Sequence, residues 1–390
     1  MLSFREHVRE RLEELKAASL LRDPLLSEAQ GSTHVVVGGK RLLNFASNDY
    51  LGFSQDSGIR KALEEAAKQW GGAASSRLLS GTLLPHRKAE SLLAAFVGHE
   101  DARLFSSGYA ANLGAISALV GPGDALFSDA LNHASIIDGC RLSRAKVLVY
   151  RHKDMGHLEE LLAENRQSFR AALIVSDGVF SMDGDIAPLS ELRRLADRYE
   201  AGLLIDEAHA LGVLGPEGRG LCASLGVQAD VITGMLGKAF GLAGGFVASD
   251  AMTIRLIENR ARSYVFSTAL HPALALAAIH ALEQLRQAEE ARKRLREFRS
   301  LVWSALPPPL QARIQAHPHV PIVPIVIGEV QKTLRFAKAL NEEGIFAPAI
   351  RPPTVPEGSA RIRISLSAAH DPKEIEWASQ ILRKKCVELI

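Results

Sequence analysis

Short apolar runs separated by amphipathic stretches cover the middle of the chain. The runs are ALFSD, KVLVY, AALIVSD, GLLIDE and DVIT, and each is continuously apolar over most of its length instead of alternating. Strands with that pattern are buried on both faces, as in a mostly parallel sheet that is covered by helices. The pattern therefore predicts a large α/β domain over residues 50–285.

The beginning of the chain has a different pattern. Its apolar residues recur at helical spacing among charged ones, and these residues are Phe4, Val8, Leu12 and Leu15. They predict an amphipathic helix whose apolar stripe must pack on another surface. The segment HVVVGGKRLLNF that follows has two glycines between apolar stretches, which predicts a β-hairpin. We therefore expect residues 1–49 to form an N-terminal helix and arm.

The last part of the chain changes pattern again. The charged helical stretch ALEQLRQAEEARKRLREFRSLVWSAL leads out of the large domain and ends at consecutive prolines. Beyond the prolines, the strand-like segments PIVPIVIG and RIRISLS enclose the helical segment LRFAKALNEEG. This order predicts a small α+β domain, which we place at residues 286–390.

Composition narrows the class of protein. The 390 residues include 46 Lys and Arg against 44 Asp and Glu, so the net charge is only +2, and no nucleic-acid-binding surface is expected. The three cysteines have no CxxC spacing, which argues against a disulfide framework and against a zinc site. The N-terminus has no apolar signal region, and the chain has no run of about 18 apolar residues. We expect a cytoplasmic small-molecule enzyme with no metal and no membrane span.

One lysine lies in an unusual setting. Lys238 follows the run DVIT and is flanked by glycines in GMLGKAFGLAGG. Glycines leave the backbone bare, which makes room for a bulky ligand beside the amine. Burial would lower the pKa of the amine and make it a nucleophile. The alternative is a solvated lysine in a glycine-rich turn.

Further polar residues follow the predicted strands, where ligands bind in open α/β sheets. These residues are Asp206 and His209 after GLLIDE, His133 after ALFSD, and Ser181 after AALIV. In SSGYAAN, Gly108 and Tyr109 begin a predicted helix, whose free N–H groups suit a phosphate. Each feature alone also fits an ordinary loop residue or helix cap. Together a phosphate site, a stacking imidazole, an acid and a lysine predict pyridoxal 5′-phosphate.

The chain resembles the α-oxoamine synthases, which are pyridoxal-phosphate enzymes of the aspartate-aminotransferase fold that condense an amino acid with an acyl-CoA and release CO2. The motifs occur in order along nearly the whole chain, and they are NFASNDYLGF, SSRLLSGT, SSGYAAN, NHASIIDG, DGVFSMDGD, IDEAHALGVLGPEGRG, GKAFGLAGG and FSTALHP. The resemblance implies fold type I of the pyridoxal-phosphate-dependent transferases. Two residues depart from the family pattern, since Met235 replaces a usual threonine and Asp177 replaces a more frequent glutamate.

The resemblance also implies roles around the cofactor. Lys238 forms the Schiff base, Asp206 pairs with the pyridine nitrogen, and His133 stacks on the ring and faces the substrate. The resemblance further implies that His209 and Ser181 bind the phenolic oxygen of the cofactor and that Gly108 and Tyr109 bind its phosphate. It also implies a homodimer with shared active sites, in which Ser267 and Thr268 reach the cofactor phosphate of the neighbouring subunit. The implied catalytic residues are Lys238, His133, Asp206 and His209.

For the substrates, the segment RPPTVP with the strand RIR resembles the biotin-pathway member of the family. That resemblance implies the condensation of L-alanine with a pimeloyl thioester, carried on CoA or on acyl carrier protein. Arg351 then takes the alanine carboxylate beside Asn48, and Arg22 and Thr354 line the acyl side. Lys238, once released as a free amine, removes the Cα proton.

Two other functions are consistent with parts of this pattern. A sister synthase such as glycine C-acetyltransferase would use glycine and acetyl-CoA, and RPPTVP argues against it. A ligand-sensing module of this fold fused to DNA-binding helices would need a second recognition helix and a basic surface, and neither is predicted.

Overall fold

The N-terminal part of the protein is a helix followed by three short strands. The computed structural model describes residues 2–22 and 24–389. The first elements are α1 (Phe4–Ala17), β1 (Ser27–Gln30), β2 (His34–Val37) and β3 (Lys40–Asn44). A capping box of Ser3 and Glu6 begins α1. The predicted apolar stripe of α1 is exposed, so no described part of this chain buries it.

The middle of the chain alternates helices and strands as predicted. Its elements are α2 (Ser57–Ala67), α3 (Leu84–Val97), β4 (Asp101–Phe105), α4 (Gly108–Leu119), β5 (Ala125–Asp129), α5 (Ala134–Ser143), β6 (Lys146–Tyr150), α6 (Met155–Asn165), β7 (Ala172–Asp177), α7 (Leu189–Arg198), β8 (Gly202–Asp206), α8 (Leu221–Leu225), β9 (Val231–Met235), β10 (Gly245–Ser249), α9 (Ala251–Arg260), α10 (Arg262–Val265) and α11 (Pro272–Gln287). Short 3-10 helices lie at Phe53–Gln55, Arg166–Ser168 and Pro216–Gly218.

The central sheet has the strand order β4-β10-β9-β8-β7-β5-β6. β10 is antiparallel to β4 and β9, and the remaining neighbours are parallel. Successive side chains point to opposite faces, so Ile174 belongs to one apolar cluster and its neighbours Leu173 and Val175 to another. A mostly parallel sheet buried on both faces is therefore confirmed.

The C-terminal part forms a second, smaller layer. Its elements are α12 (Glu289–Ala305), α13 (Pro308–Gln311), β11 (Ile322–Gly328), α14 (Val330–Glu342), β12 (Ile345–Phe346), β13 (Ala349–Ile350), β14 (Ala360–Ser365) and α15 (Pro372–Leu389). The strands β11, β14 and β13 form an antiparallel sheet. β12 pairs in parallel with β3 and extends the N-terminal sheet. None of the described helices has the length and apolar character needed to cross a membrane.

The direction of the strands determines where a ligand can bind. β5, β7, β8 and β9 run parallel, and β4 has the same direction because the antiparallel β10 lies between β4 and β9. The carboxyl ends of all five strands therefore lie at one edge of the sheet, which is where open α/β sheets bind their ligands.

Candidate active site

A cavity of about 310 Å³ opens at this edge. Its lining residues are Asn48, Ser107, Gly108, Tyr109, Asn112, His133, Ser135, Asp177, Ser181, Met182, Asp206, Ala208, His209, Thr233, Gly234, Met235, Lys238 and Arg363. We call it the reaction cavity. Of the residues predicted from the sequence, it brings together Asn48, Gly108, Tyr109, His133, Ser181, Asp206, His209 and Lys238, whereas Arg22, Ser267, Thr268, Arg351 and Thr354 are not in its lining.

Lys238 lies in a tight turn after β9. The N–H of Gly241 donates to the Lys238 carbonyl at 2.8 Å, and Gly241 has a φ of +68°. A Cβ at Gly241 would lie 2.4 Å from the backbone of Phe53, so both the backbone angle and the packing require glycine there. Burial lowers the pKa of Lys238 to about 8, although Asp206 and Asp177 oppose the change. A free amine is therefore accessible near neutral pH.

Asp206 is a buried carboxylate with two internal hydrogen-bond donors. The Asn112 amide donates to its Oδ2 at 2.6 Å, and the Ala208 N–H donates to its Oδ1 at 2.8 Å. The orientation of Asn112 is fixed in turn, because the Thr233 hydroxyl donates to its Oδ1 at 2.7 Å. The carboxylate thus faces the cavity in a defined position and can stabilise a cationic ring nitrogen.

His209 is held by a tyrosine that the sequence did not point to. Its Nδ1 lies 2.7 Å from the Tyr50 hydroxyl, and both side chains are buried. Burial, together with the positive charges of Lys238 and Arg363, lowers the pKa of His209 well below its usual range. His209 is therefore a neutral imidazole, able to donate or accept one hydrogen bond in the cavity.

His133 is anchored at the N-terminus of α5. Its backbone N–H donates to Asp177 at 2.6 Å, and its Nδ1 lies 2.7 Å from the Ser135 hydroxyl. Burial and the nearby Asp206 raise the pKa of Asp177 well above its usual range. Burial lowers the pKa of His133, and Lys238 adds to the shift while Asp206 opposes it. The arrangement leaves a neutral imidazole at the cavity wall, where it can stack on a flat ring.

The N-terminus of α4 lies where the sequence predicts an anion site. Ser107 caps the helix through the Ala110 N–H, which leaves the N–H groups of Gly108 and Tyr109 without a partner inside the helix. Gly245 packs so closely that a Cβ there would lie 2.5 Å from the Gly108 nitrogen. The side chain of Met235 lies beside Gly108, 3.3 Å from where a Cβ would stand. A thioether, which cannot donate a hydrogen bond, therefore borders the anion site.

Arg363 is a site residue that our sequence analysis missed. Its side chain is 8% exposed, and it donates to Asn48 Oδ1 at 3.0 and 3.1 Å, to the Ser365 hydroxyl at 2.7 Å and to the Ser181 carbonyl. It forms no ion pair with any carboxylate in the described part of the chain. A buried cation with only neutral partners favours an anionic ligand. The alternation of arginine and isoleucine in RIRIS gives no signal of this role, because it normally indicates an arginine that faces solvent.

A second cavity of about 340 Å³ adjoins the first, and we call it the side cleft. The two cavities share His133, Ser181 and Met182. The other residues that line the cleft are Leu131, Asn132, Ala134, Ile137, Phe180, Asp183, Pro353, Thr354, Val355 and Pro356. The predicted substrate residue Thr354 thus lies in a cavity that shares three lining residues with the reaction cavity.

The remaining predicted residues lie outside both linings. Arg351 donates to the carbonyls of Ser19 and Leu21, and Arg22 donates to the carbonyls of Arg351 and Pro352. These contacts connect the N-terminal segment to the loop that lines the side cleft.

The segment with Ser267 and Thr268 lies along residues of the same chain. Thr268 pairs with Ser76 in an isolated bridge. Three large apolar side chains in this part of the surface are strongly exposed, and they are Phe266 (72%), Leu79 (82%) and Leu84 (87%). The roles predicted for Ser267 and Thr268 stay predictions.

The chemistry of the reaction cavity fits pyridoxal 5′-phosphate. Free N–H groups of Gly108 and Tyr109 suit the phosphate, and His133 offers a flat imidazole. Asp206 supplies a buried negative charge for the ring nitrogen, and Lys238 an amine of lowered pKa for the aldehyde.

The sequence is similar to one protein family and to several known enzymes. The profile of the family Aminotransferase class I and II matches residues 40–382. The 8-amino-7-oxononanoate synthase of Anaeromyxobacter dehalogenans is 49% identical over 373 residues, which cover 94% of this chain and 92% of that protein. The 8-amino-7-oxononanoate synthase of Chromobacterium violaceum is 46% identical over 368 residues, which cover 94% of each chain.

Two solved structures extend these similarities to the fold. A serine palmitoyltransferase from S. paucimobilis with bound PLP and myriocin has a TM-score of 0.90 at 30% identity and covers 98% of each chain. The 8-amino-7-oxononanoate synthase from Francisella tularensis has a TM-score of 0.75 at 28% identity, over 89% of this chain and 98% of that one. The chain therefore belongs to the aminotransferase class I and II family and, within it, to the 8-amino-7-oxononanoate synthases.

Proposed function

We propose that the protein catalyses the decarboxylative condensation of L-alanine with a pimeloyl thioester, giving 8-amino-7-oxononanoate, CO2 and the free thiol carrier in biotin biosynthesis. The observation that carries this proposal is the juxtaposition of Lys238, Asp206 and His133 in one cavity, in a chain 46–49% identical to synthases of that name. Pyridoxal 5′-phosphate is the cofactor, and when bound it supplies an electron sink that stabilises negative charge at the amino-acid Cα.

Seven residues of one subunit would hold the cofactor. Gly108 and Tyr109 would bind the phosphate through backbone N–H groups, Asp206 would keep the ring nitrogen protonated, His133 would cover one ring face and Lys238 would supply the amine for the aldehyde. Ser181 and His209 are proposed to bind the phenolic oxygen. Because His209 is neutral and fixed by Tyr50, it can donate one hydrogen bond there without adding a charge.

Lys238 also moves a proton. After L-alanine has displaced it, its Nζ is a free amine in the cavity and accepts the Cα proton. The lowered pKa keeps this nitrogen unprotonated in a useful fraction of molecules near neutral pH. The Cα then attacks the thioester carbonyl, the thiol carrier leaves and the carboxylate of the alanine unit is lost as CO2. A proton returned from Nζ completes the product.

Two arginines are candidates for the carboxylate of L-alanine. Arg351 is the residue that the sequence indicates, whereas Arg363 lines the reaction cavity beside Asn48. A guanidinium binds a carboxylate through two parallel hydrogen bonds, so either residue could orient the substrate. Arg22 and Thr354 are proposed to serve the acyl substrate, since Arg22 supports the loop that places Thr354 in the side cleft beside the reaction cavity.

We also propose a homodimer in which Ser267 and Thr268 reach the phosphate site of the neighbouring subunit. The exposed Phe266, Leu79 and Leu84 support an interface there, because large exposed apolar groups mark surfaces that bind other proteins. The three cysteines are unpaired and buried, which fits a reducing cytoplasm. Light scattering of the active enzyme tests the dimer, and a fully active monomer would contradict it.

One spectroscopic and kinetic experiment tests the function. The purified holoenzyme should show a visible absorption band that shifts when L-alanine is added. It should release CO2 from L-alanine with pimeloyl-CoA or pimeloyl-acyl carrier protein much faster than it turns over glycine with acetyl-CoA. A preference for glycine and acetyl-CoA would identify the sister synthase, and no band or shift would contradict both.

A further inference from the structure

Two short segments of the chain carry His133 and Ser181 into the wall of the reaction cavity. Residues 129–133, which we call the His133 segment, begin at the last residue of β5, and residues 180–185, which we call the Ser181 segment, follow β7. In the proposed function both side chains contact the same cofactor. The separation of the two segments therefore matters for cofactor binding.

The Ser181 segment is a closed turn. The Phe180 N–H donates to the Asp185 carbonyl at 3.0 Å, and the Gly184 N–H donates to the Phe180 carbonyl at 2.8 Å. The two ends of the segment are thus bonded to each other. A group that fixes Asp185 therefore fixes the position of Ser181 as well.

His152 connects the two segments, although it lines neither cavity. Its Nδ1 lies 2.8 Å from an oxygen of Asp129, the first residue of the His133 segment, and its Nε2 lies 3.0 Å from an oxygen of Asp185. Both carboxylate side chains are almost completely buried, with exposures of 1% and 4%. The His152 ring also packs edge-on against Phe180, with the ring centroids 4.4 Å apart. One imidazole thus contacts both segments.

The His152 ring must be charged to donate to both carboxylates. A carboxylate only accepts hydrogen bonds, and an imidazole has a donor on each ring nitrogen only when it is protonated. Burial lowers the pKa of His152, but the hydrogen bonds with Asp129 and Asp185 outweigh burial and raise the pKa to about 9. A further charged group at this cluster is Lys153, whose Nζ lies 2.6 Å from the same Asp185 oxygen. The connection is therefore complete at neutral pH and loses one hydrogen bond as pH rises through 9.

Other contacts of the two segments do not replace this connection. The His133 N–H donates to Asp177 at 2.6 Å, and the Asn132 oxygen accepts the Asp177 N–H at 2.9 Å, but Asp177 ends β7 and precedes the Ser181 segment. Arg361 donates to the Met182 carbonyl at 3.2 Å, but it does so from β14. Neither set of contacts joins the His133 segment directly to the Ser181 segment.

Resting on the proposed function, we infer that His152 is a positioning residue, which holds the His133 segment and the Ser181 segment at the separation that the cofactor requires. Loss of His152 lowers the fraction of molecules in which both segments are in place. The apparent affinity for the cofactor falls by that fraction, because only those molecules bind it fully.

Cofactor affinity at two pH values tests this inference. The dissociation constant of pyridoxamine 5′-phosphate, which has no aldehyde and forms no Schiff base, is measured by calorimetry with the cofactor-free parent and His152→Asn. At pH 7 the variant should bind at least about tenfold more weakly, because a hydrogen bond to a charged group is worth about that factor or more. At pH 10 the ratio of the two constants should fall towards one, since His152 of the parent has then lost its charge. Groups that titrate in both proteins cancel in this ratio.

Lys153→Met is the matched control. Lys153 binds the same Asp185 oxygen, but its side chain makes no hydrogen bond to Asp129, so the substitution removes a positive charge without separating the segments. It should weaken binding much less than His152→Asn and by the same factor at both pH values. If His152→Asn does not fold, Asp185→Asn breaks the connection at its other end and should reproduce the loss at pH 7.

The outcomes separate this inference from the proposed function. If the parent does not bind pyridoxamine 5′-phosphate, the proposed function is wrong. Hydrogen exchange of the cofactor-free proteins still tests the positioning role, because His152→Asn should speed exchange in both segments, whereas Lys153→Met should leave the His133 segment unchanged. A ratio that is equal at pH 7 and pH 10, an equal loss in Lys153→Met, or unchanged exchange in the His133 segment would overturn the inference.

Discussion

The residues at the edge of the sheet and those around Arg351 are held in different ways. Asp206 follows β8 directly and receives hydrogen bonds from two buried donors on its two carboxylate oxygens. Arg351 lies on a half-exposed loop and is bonded to carbonyls of the N-terminal segment. The end of a central strand therefore fixes Asp206, whereas the position of Arg351 depends on how two surface segments meet. Substitutions at the edge of the central sheet should therefore lower kcat, whereas substitutions in the loop of Arg351 should raise the KM for the substrate.

The largest effect is expected at Lys238. Lys238→Ala should lower turnover by at least about a thousandfold, because both the attachment and the proton acceptor are lost. The variant should still bind pyridoxal 5′-phosphate non-covalently through the phosphate site. Borohydride reduction and peptide mapping should label Lys238 in the parent and in the exposed-lysine control Lys146→Ala. Label on another lysine of the parent would contradict the assignment.

Asp206→Asn is expected to have the next largest effect. A neutral amide cannot keep the ring nitrogen protonated, and the loss should be about a hundredfold or more in kcat, roughly 3 kcal/mol. Asp177→Asn is the matched control on the neighbouring strand. Its carboxyl accepts the His133 backbone N–H, a bond that the amide oxygen of asparagine can also accept, so this substitution should cost less than about tenfold. Equal losses in the two variants would mean that Asp206 is not the partner of the ring nitrogen.

Substitutions of Arg351 in the loop and of Arg363 in the reaction cavity show which arginine binds the carboxylate of L-alanine. Arg351→Lys should raise the KM for L-alanine with little change in kcat, because a point charge replaces a planar fork. Arg363→Lys should raise the same KM further, since the guanidinium is buried and touches the cavity wall. An unchanged KM in Arg351→Lys would leave Arg363 as the carboxylate residue.

A smaller effect, on the pH dependence of the free energy of unfolding, is expected at His152. Burial lowers its pKa, but contacts of 2.8 Å with Asp129 and 3.0 Å with Asp185 raise it to about 9. Because the folded-state pKa lies above the unfolded value of about 6.5, the stabilisation is fully present below pH 6.5 and is lost as pH rises through 9. His152→Asn should therefore lower the free energy of unfolding by about 2–3 kcal/mol at pH 6 and by little at pH 9.5. A difference independent of pH in urea titrations would contradict this.

The smallest effect concerns Met235. A hydrogen bond to a charged group is worth about 1.5–3 kcal/mol, and the thioether beside Gly108 cannot supply one to the phosphate. We therefore expect cofactor retention to depend on Thr268 of the neighbouring subunit. Thr268→Val should weaken cofactor binding strongly in the parent but mildly when Met235→Thr is also present. If the two substitutions change the free energy of cofactor binding additively in this double-mutant cycle, Thr268 does not compensate for Met235.

The central sheet could be predicted from the sequence, because apolar runs reveal buried parallel strands. The polar residues that follow these strands could be predicted as site residues, because ligands bind at the carboxyl ends of the strands. Lys238, Asp206 and His133 were found in this way. Asn112 was not, since a buried helix position does not reveal which side chain it faces. Arg363 was missed because an arginine that alternates with isoleucine usually faces solvent, and only the packing of β14 against the loop at Ser181 buries it.

The contact between Asn48 and Arg363 has a consequence for the order of folding. Asn48, shortly after β3, accepts hydrogen bonds from Arg363, which is 315 residues away in sequence. Contacts with such separations require closure of a long loop and form slowly compared with local ones. The wall of the reaction cavity that contains Asn48 and Arg363 is therefore completed only after nearly the whole chain has been synthesised. We expect newly made chains to gain tight cofactor binding as one of the last steps of folding.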